Sequence, residues 1–141
     1  MGFLDEVGQR IDQVRYRDYV DAVAAVSALV GCADSGGPSR SQRQQGAQLA
    51  VTNPVMASFP AEELRRLFDG LVEEISADAD FGRAAALQRV AKVADRPDQA
   101  RSAIEVGIEV AKADGYLSRA ERAALRHACE AVNLYPGELE L

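Results

Sequence analysis

Acidic side chains in predicted turns are the residues of this sequence best placed to bind a metal ion. Asp114 lies in a short turn, and Glu121 follows it at the start of the next predicted helix. Asp34 lies in a second acidic turn, and Asp78 and Asp80 flank a break between two helical stretches. Carboxylate oxygens are the ligands that calcium, magnesium and manganese prefer. Together these five residues are therefore candidate ligands of a divalent cation.

The same residues also have a structural interpretation. Ser118 and Glu121 have the spacing of a capping box, in which both side chains accept hydrogen bonds from backbone N–H groups at a helix start. Gly115 permits the left-handed backbone of a tight turn, and aspartate is common in turns. Turn and cap roles thus account for each residue singly, whereas the presence of several acidic turns in one small domain favours a cation site. Both interpretations stay open at this stage.

The residue types give less support to a zinc site, a redox site, a calcium-binding loop or a catalytic site. Cys32 and Cys129 share no metal-binding spacing with the single histidine, His127, which excludes a zinc knuckle or a CxxC redox site. His127 and Cys129 are two positions apart on one predicted helix, so their side chains point in different directions. A calcium loop starting at Asp78 would have arginine where a glycine and a glutamate are needed. We therefore expect no enzymatic activity, and we interpret both thiols as small apolar side chains on helices.

Composition limits the class of protein and its ligands. The chain has 141 residues, 48% of them hydrophobic and 27% charged, which is typical of one globular domain. Its net charge of −6 opposes sequence-independent binding to nucleic acid or anionic lipid, because both need a basic surface. For the same reason we expect no direct contact with an oxyanion. Cations and basic protein surfaces are the favoured ligands.

The cellular location is predicted from two features of the sequence. No apolar run approaches the roughly 20 residues that span a bilayer. The first ten residues, MGFLDEVGQR, lack the basic and apolar regions of a signal peptide. We therefore expect a cytoplasmic protein without direct membrane insertion.

Hydrophobic periodicity predicts an all-α protein, a compact bundle of about six or seven helices. Residues 1–17 form an amphipathic lead-in, and residues 18–141 form the helical domain. The predicted helices run from Asp18 to Ala33, from Ser39 to Val51, from about Pro60 with Ser58 as a cap, through Phe81 to Ala94, from Pro97 to Ala111, and from Ser118 onward.

The lead-in has its own apolar stripe. Its apolar residues repeat at near-helical spacing, namely Phe3, Leu4, Val7, Ile11 and Val14. The polar face is mixed rather than rich in lysine and arginine, unlike that of a membrane-surface helix. We expect the lead-in to fold back onto the domain, and an interaction arm is the alternative.

The two acidic turns are similar enough to predict an internal repeat. Three residues of the first turn and three of the second correspond, with one extra residue in the first: Asp34, Ser39 and Gln42, and Asp114, Ser118 and Glu121. Each half then contains a helical hairpin with an acidic turn, followed by a segment that begins with proline. The repeat predicts a pseudo-twofold bundle of hairpins in which the two turns could approach each other.

On these residues, the chain resembles the TerB family of tellurite-resistance proteins. The family pattern of alanine, acidic-glycine turn, small polar cap and glutamate is present as Ala111, Asp114, Gly115, Ser118 and Glu121. Residues 1–7, 78–82 and 95–115 also look like the corresponding family segments. The resemblance therefore covers nearly the whole chain.

The resemblance implies a function that composition alone does not indicate. It implies an all-helical component of the bacterial tellurium and stress response. Such a protein would associate with other tellurite-resistance proteins, including an integral membrane one, and through that partner could lie at the inner face of the membrane. It also implies metal binding by the acidic residues. The alternative is a protein-interaction adaptor without metal, in which those residues act as helix caps and contact surface.

The first acidic turn departs from the family pattern. Gly36, Gly37 and Pro38 lengthen the loop, and Gln42 stands where the pattern has a carboxylate. An amide supplies an oxygen ligand but no negative charge. The resemblance therefore implies weaker cation binding at Asp34 than at the second turn.

Overall fold

A computed structural model describes residues 2–8, 16–34 and 36–141, and they fold around one apolar helix. The α-helices of the domain are α1 (Arg17–Gly31), α2 (Arg40–Thr52), α3 (Ala61–Ala77), α4 (Ala79–Ala91), α5 (Pro97–Ala111) and α6 (Arg119–Ala131). Short 3-10 helices occupy Met56–Ser58, Lys112–Asp114 and Pro136–Leu139, and residues 3–8 are also helical. The described part contains no β-strand. The predicted all-α bundle is confirmed, whereas the internal repeat stays a prediction.

Helix α1 is the centre of the core. Every residue from Tyr19 to Gly31 is buried, and the helix contacts α3, α4, α5 and α6. A helix that is apolar on all sides is stable only when other elements surround it. Helix α5 packs closely on α1 at Gly107, where an added Cβ would collide with the side chain of Val26. The packing of α5 on α1 therefore requires a residue without a side chain at position 107.

One charged residue lies within this core helix. The carboxylate of Asp21 is almost fully buried, and its Oδ2 is 3.1 Å from Lys92 Nζ and 3.8 Å from an Arg89 guanidinium nitrogen. A buried charge is tolerated when it is paired in this way. The contact therefore joins α1 to the C-terminal end of α4.

Two predicted helix ends were too far along the chain. Helix α1 ends at Gly31 rather than Ala33, because the chain must turn there to pack Pro38 against it. An added Cβ at Gly31 would lie 2.7 Å from Pro38 Cγ. Helix α4 ends at Ala91 rather than Ala94, and the next residues form a turn that leads to Pro97.

The predicted cap of α3 was wrong. Pro60 occupies the cap position and offers no side-chain hydrogen bond. Ser58 lies instead in the preceding 3-10 helix, where its hydroxyl donates to the carbonyl oxygen of Val55 at 2.7 Å. A serine hydroxyl satisfied by a local carbonyl is a common competitor of helix capping.

Phe81, a large apolar residue of α4, points away from the core and is 67% exposed. Gly82 takes the buried position beside α3 instead, and an added Cβ there would collide with the backbone of Ile75. The backbones of α3 and α4 approach too closely at this corner for a large side chain. On α5, Ile104 is fully buried and Ile108 only partly.

The lead-in is described only in part. Phe3 and Leu4 are exposed, so the expected folding back onto the domain is wrong for these two side chains. Ile11 and Val14, which complete the predicted stripe, lie outside the described residues. No helix among the described residues is long and apolar enough to cross a membrane.

Candidate functional site

Each acidic turn leads into a helix through a complete capping box. At the start of α2, the Ser39 hydroxyl accepts from the Gln42 N–H at 3.0 Å, and Gln42 Oε1 accepts from the Ser39 N–H at 3.1 Å. At the start of α6, Ser118 and Glu121 form the same pair of bonds at 3.1 and 2.8 Å. Gly115 has the left-handed backbone expected of it, with φ of 92°. The predicted starts of both helices are thus confirmed.

The capping serines also join the two turns to each other. The Ser39 hydroxyl donates to the carboxylate of Asp114, at 3.0 Å from one oxygen and 2.9 Å from the other. In the opposite direction, the Ser118 hydroxyl donates to Asp34 Oδ2 at 2.8 Å. Each serine therefore accepts from its own helix and donates to the aspartate of the other turn.

A buried amide and a buried carboxylate meet between these serines. Gln42 Nε2 donates to Glu121 Oε2 at 2.6 Å, and the two residues are only 6% and 5% exposed. A hydrogen bond from an amide to a buried carboxylate is among the stronger ones in proteins. We call the six connected residues the cap network: Asp34, Ser39, Gln42, Asp114, Ser118 and Glu121.

The cap network determines what its carboxylates can do. Both oxygens of Glu121 accept hydrogen bonds inside the protein, so a cation there would have to displace the Ser118 N–H or Gln42. Asp34 and Asp114 are exposed and keep lone pairs that face solvent. The structure therefore places three of the five predicted ligands in one network, two on its surface and one inside it.

The other two predicted ligands lie elsewhere in the chain. Asp78 caps α4, where its Oδ1 accepts from the Phe81 N–H at 3.1 Å, and Asp80 is exposed in the first turn of the same helix. Across residues 2–8, 16–34 and 36–141, no three histidine, cysteine, aspartate or glutamate side chains are grouped so that they could hold a metal ion. The five predicted ligands thus do not converge on one point.

The thiols and the histidine offer no reactive pair. Burial raises the pKa of the Cys129 thiol to about 11, helped by the negative charge of Glu130. Burial also raises the pKa of Cys32. His127 is exposed, whereas Cys129 is fully buried. A thiol held neutral in this way is a poor nucleophile.

Sequence reasoning missed the contacts between the two turns. The predicted correspondence of Gln42 with Glu121 contained a usable signal, because an amide and a carboxylate at matching positions form a donor and an acceptor. The two serines carried a similar signal, since a capping hydroxyl still has one proton to donate.

Comparison with known proteins gives one positive result. The model of the family described as "Tellurite resistance protein TerB" matches residues 20–141, which include α2 to α6, most of α1 and the entire cap network. A search of curated proteins and a search of solved structures found no match.

Proposed function

The chain belongs to the TerB family of tellurite-resistance proteins, and we propose that it is a non-enzymatic protein-binding component of the tellurite response. In this proposal its acidic turns are structural. They lock the two helix starts together and present a rigid acidic surface to a basic surface on another protein of the same response. An integral membrane member of that system is one such partner.

The proposal is supported by the hydrogen bonds within the cap network. Gln42 and Glu121 are buried and satisfy each other, and each capping serine is bonded on both sides. A network with all its buried members satisfied makes the surrounding backbone rigid. Rigid surfaces lose less conformational entropy on binding, which favours a role in recognition.

The second acidic turn also carries an exposed aromatic side chain. Tyr116 lies two residues after Asp114 and is 68% exposed. Tyrosine is enriched at the energetic centres of protein interfaces, where its ring is buried and its hydroxyl finds a polar partner. Tyr116 beside an exposed carboxylate is therefore the expected centre of the contact surface.

Tellurite tolerance tests this proposal in a strain that lacks the gene and is complemented with variants. Tyr116→Ala should reduce tolerance without changing the urea denaturation midpoint, because the side chain makes little contact within the protein. Tyr135→Ala is the matched control, since Tyr135 is 73% exposed but lies outside the acidic turns. Equal tolerance for wild type and Tyr116→Ala would count against this contact surface.

Binding of a divalent cation is the second candidate function. It is favoured by the exposure of Asp34 and Asp114 at the surface of one network. Asp34 Oδ1 accepts no hydrogen bond from any described residue, so it keeps full capacity for a calcium, magnesium or manganese ion. The small number of carboxylates at the surface of the cap network argues against this candidate.

A further inference from the structure

A pocket of about 410 Å³ lies beside the first acidic turn, apart from the cap network. Gly36, Gly37 and Pro38 of the lengthened loop form part of its lining, with Val72 and Ile75 of α3. The loop that distinguishes the first turn from the second therefore also helps to build a cavity.

The charge of the pocket is opposite to that of the protein. Two arginines, Arg43 of α2 and Arg83 of α4, line it, and no described lining residue is acidic. Asp34 lies close in sequence but binds Ser118 and is not among the lining residues. The net charge of −6, from which we expected no contact with an oxyanion, thus coexists with a locally basic cavity that the average charge does not describe.

The two arginines differ in how they are held. The Arg43 guanidinium donates to Asp69 at 3.1 Å and lies over the ring of Phe68, at 5.6 Å from its centroid, so its position is fixed and its charge is partly balanced. Arg83 has no hydrogen bond or ion pair with any described residue. Its guanidinium is therefore available to a ligand.

The thiol of Cys32 also lines the pocket. Burial raises its pKa, whereas the positive charges of Arg83 and Arg43 act in the opposite direction. Both arginines therefore lie close enough to the thiol to act on it. Ser76, which also lines the pocket, adds a hydroxyl donor that suits an anion.

From this arrangement we propose that the pocket binds a small oxyanion, either free or as the phosphate or carboxylate group of a small molecule, with Arg83 as its main contact. Guanidinium groups bind such oxygens through paired N–H donors. Val72, which is partly exposed, provides apolar surface for the remainder of an organic ligand. This proposal goes beyond the protein-binding role and does not depend on it.

Alkylation of Cys32 by neutral iodoacetamide measures occupancy of the pocket directly. Cys129 is fully buried with a pKa of about 11, so Cys32 is the thiol that reacts. In the wild type, inorganic phosphate should slow alkylation saturably, whereas sodium chloride of equal ionic strength should not. Arms with phenyl phosphate and acetate distinguish the sources, because a site for organic anions should bind phenyl phosphate more tightly than phosphate.

The variant arms assign the effect to Arg83. Arg83→Gln should weaken protection by about tenfold or more, the loss expected for one charge-assisted contact. Arg119→Gln, which removes an exposed arginine outside the pocket, should leave protection unchanged. Backbone amide shifts of Gly36 and Gly37 with phosphate give a second measurement in the wild type alone. Alkylation rates that are equal in phosphate and chloride, or equal protection in Arg83→Gln, would overturn the proposal.

Discussion

Gln42→Glu is the substitution that probes the cap network most sharply. The new carboxylate can still accept from the Ser39 N–H, so the capping box of α2 is kept. It replaces the Nε2 donor, which lies 2.6 Å from Glu121 Oε2, with a second negative oxygen. Two buried carboxylates at that distance cannot both be ionised, so the pair must hold one proton in the folded state.

The cost follows from the proton that the pair must hold. An unperturbed glutamate has a pKa of about 4.3. Each pH unit above this pKa adds about 1.4 kcal/mol to the free energy needed to keep the proton on the pair. At pH 7 the cost is therefore at most about 3.7 kcal/mol. The short bond between the shared proton and the two carboxylates recovers part of this. We therefore expect a loss of about 2 to 3 kcal/mol in the free energy of unfolding at pH 7.

The sign of the pH dependence gives the decisive test. In the variant, the pKa of the buried pair is raised above its unfolded value, so the folded state binds the extra proton and becomes more stable as the pH falls. Urea denaturation should recover most of the lost stability between pH 7 and pH 5, relative to the wild type. Gln44→Glu is the control, because it adds the same charge at an exposed position of α2 and should be nearly neutral. If Gln42→Glu matches the wild type at pH 7, the buried contact with Glu121 is not formed as described.

Three further predictions concern stability. Ser118→Ala should cost about 0.5 to 2 kcal/mol by removing the cap of α6, and an unchanged denaturation midpoint would show that this hydroxyl is not needed. Ile104→Ala should cost about 2 to 5 kcal/mol, because the side chain is fully buried, whereas Ile108→Ala should cost less; equal losses would contradict the orientation of α5. The Cys129 thiol has a raised pKa in the folded state, so it should lower stability as the pH rises from 9 to about 11. Cys129→Ala should lose that part of the pH dependence, and an identical pH profile would contradict the burial of the thiol.

The parts of the fold that depend on residues close in sequence were predictable. The capping boxes need only residues three positions apart, so Ser39 and Ser118 identified the starts of α2 and α6. Hydrophobic periodicity identified the helices for the same reason. The outward position of Phe81 was not predictable, because it depends on the close approach of α3 and α4 at Gly82, which is a property of packing.

The sequence predicted which residues belong to the candidate site but not how they contact one another. The acidic residues could be named, but the bonds from Ser39 to Asp114 and from Ser118 to Asp34 join residues 75 and 84 positions apart. Nothing in local spacing fixes which residues from two distant turns meet. The contact of Gln42 with Glu121, 79 positions apart, is of the same kind. It required the packing of α2 and α6 around the core.

We propose that the acidic turns tie two helix starts together and do not form a cation site. Melting curves of the wild type and of Asp114→Asn, each with and without millimolar calcium, test it most directly. Asparagine keeps the shape and turn propensity of aspartate, so the fold should be retained in the variant. A bound ion stabilises the folded state in proportion to RT ln(1 + [L]/Kd). Our account predicts no calcium-dependent rise in melting temperature for either protein. A saturable rise in the wild type that Asp114→Asn abolishes would contradict it.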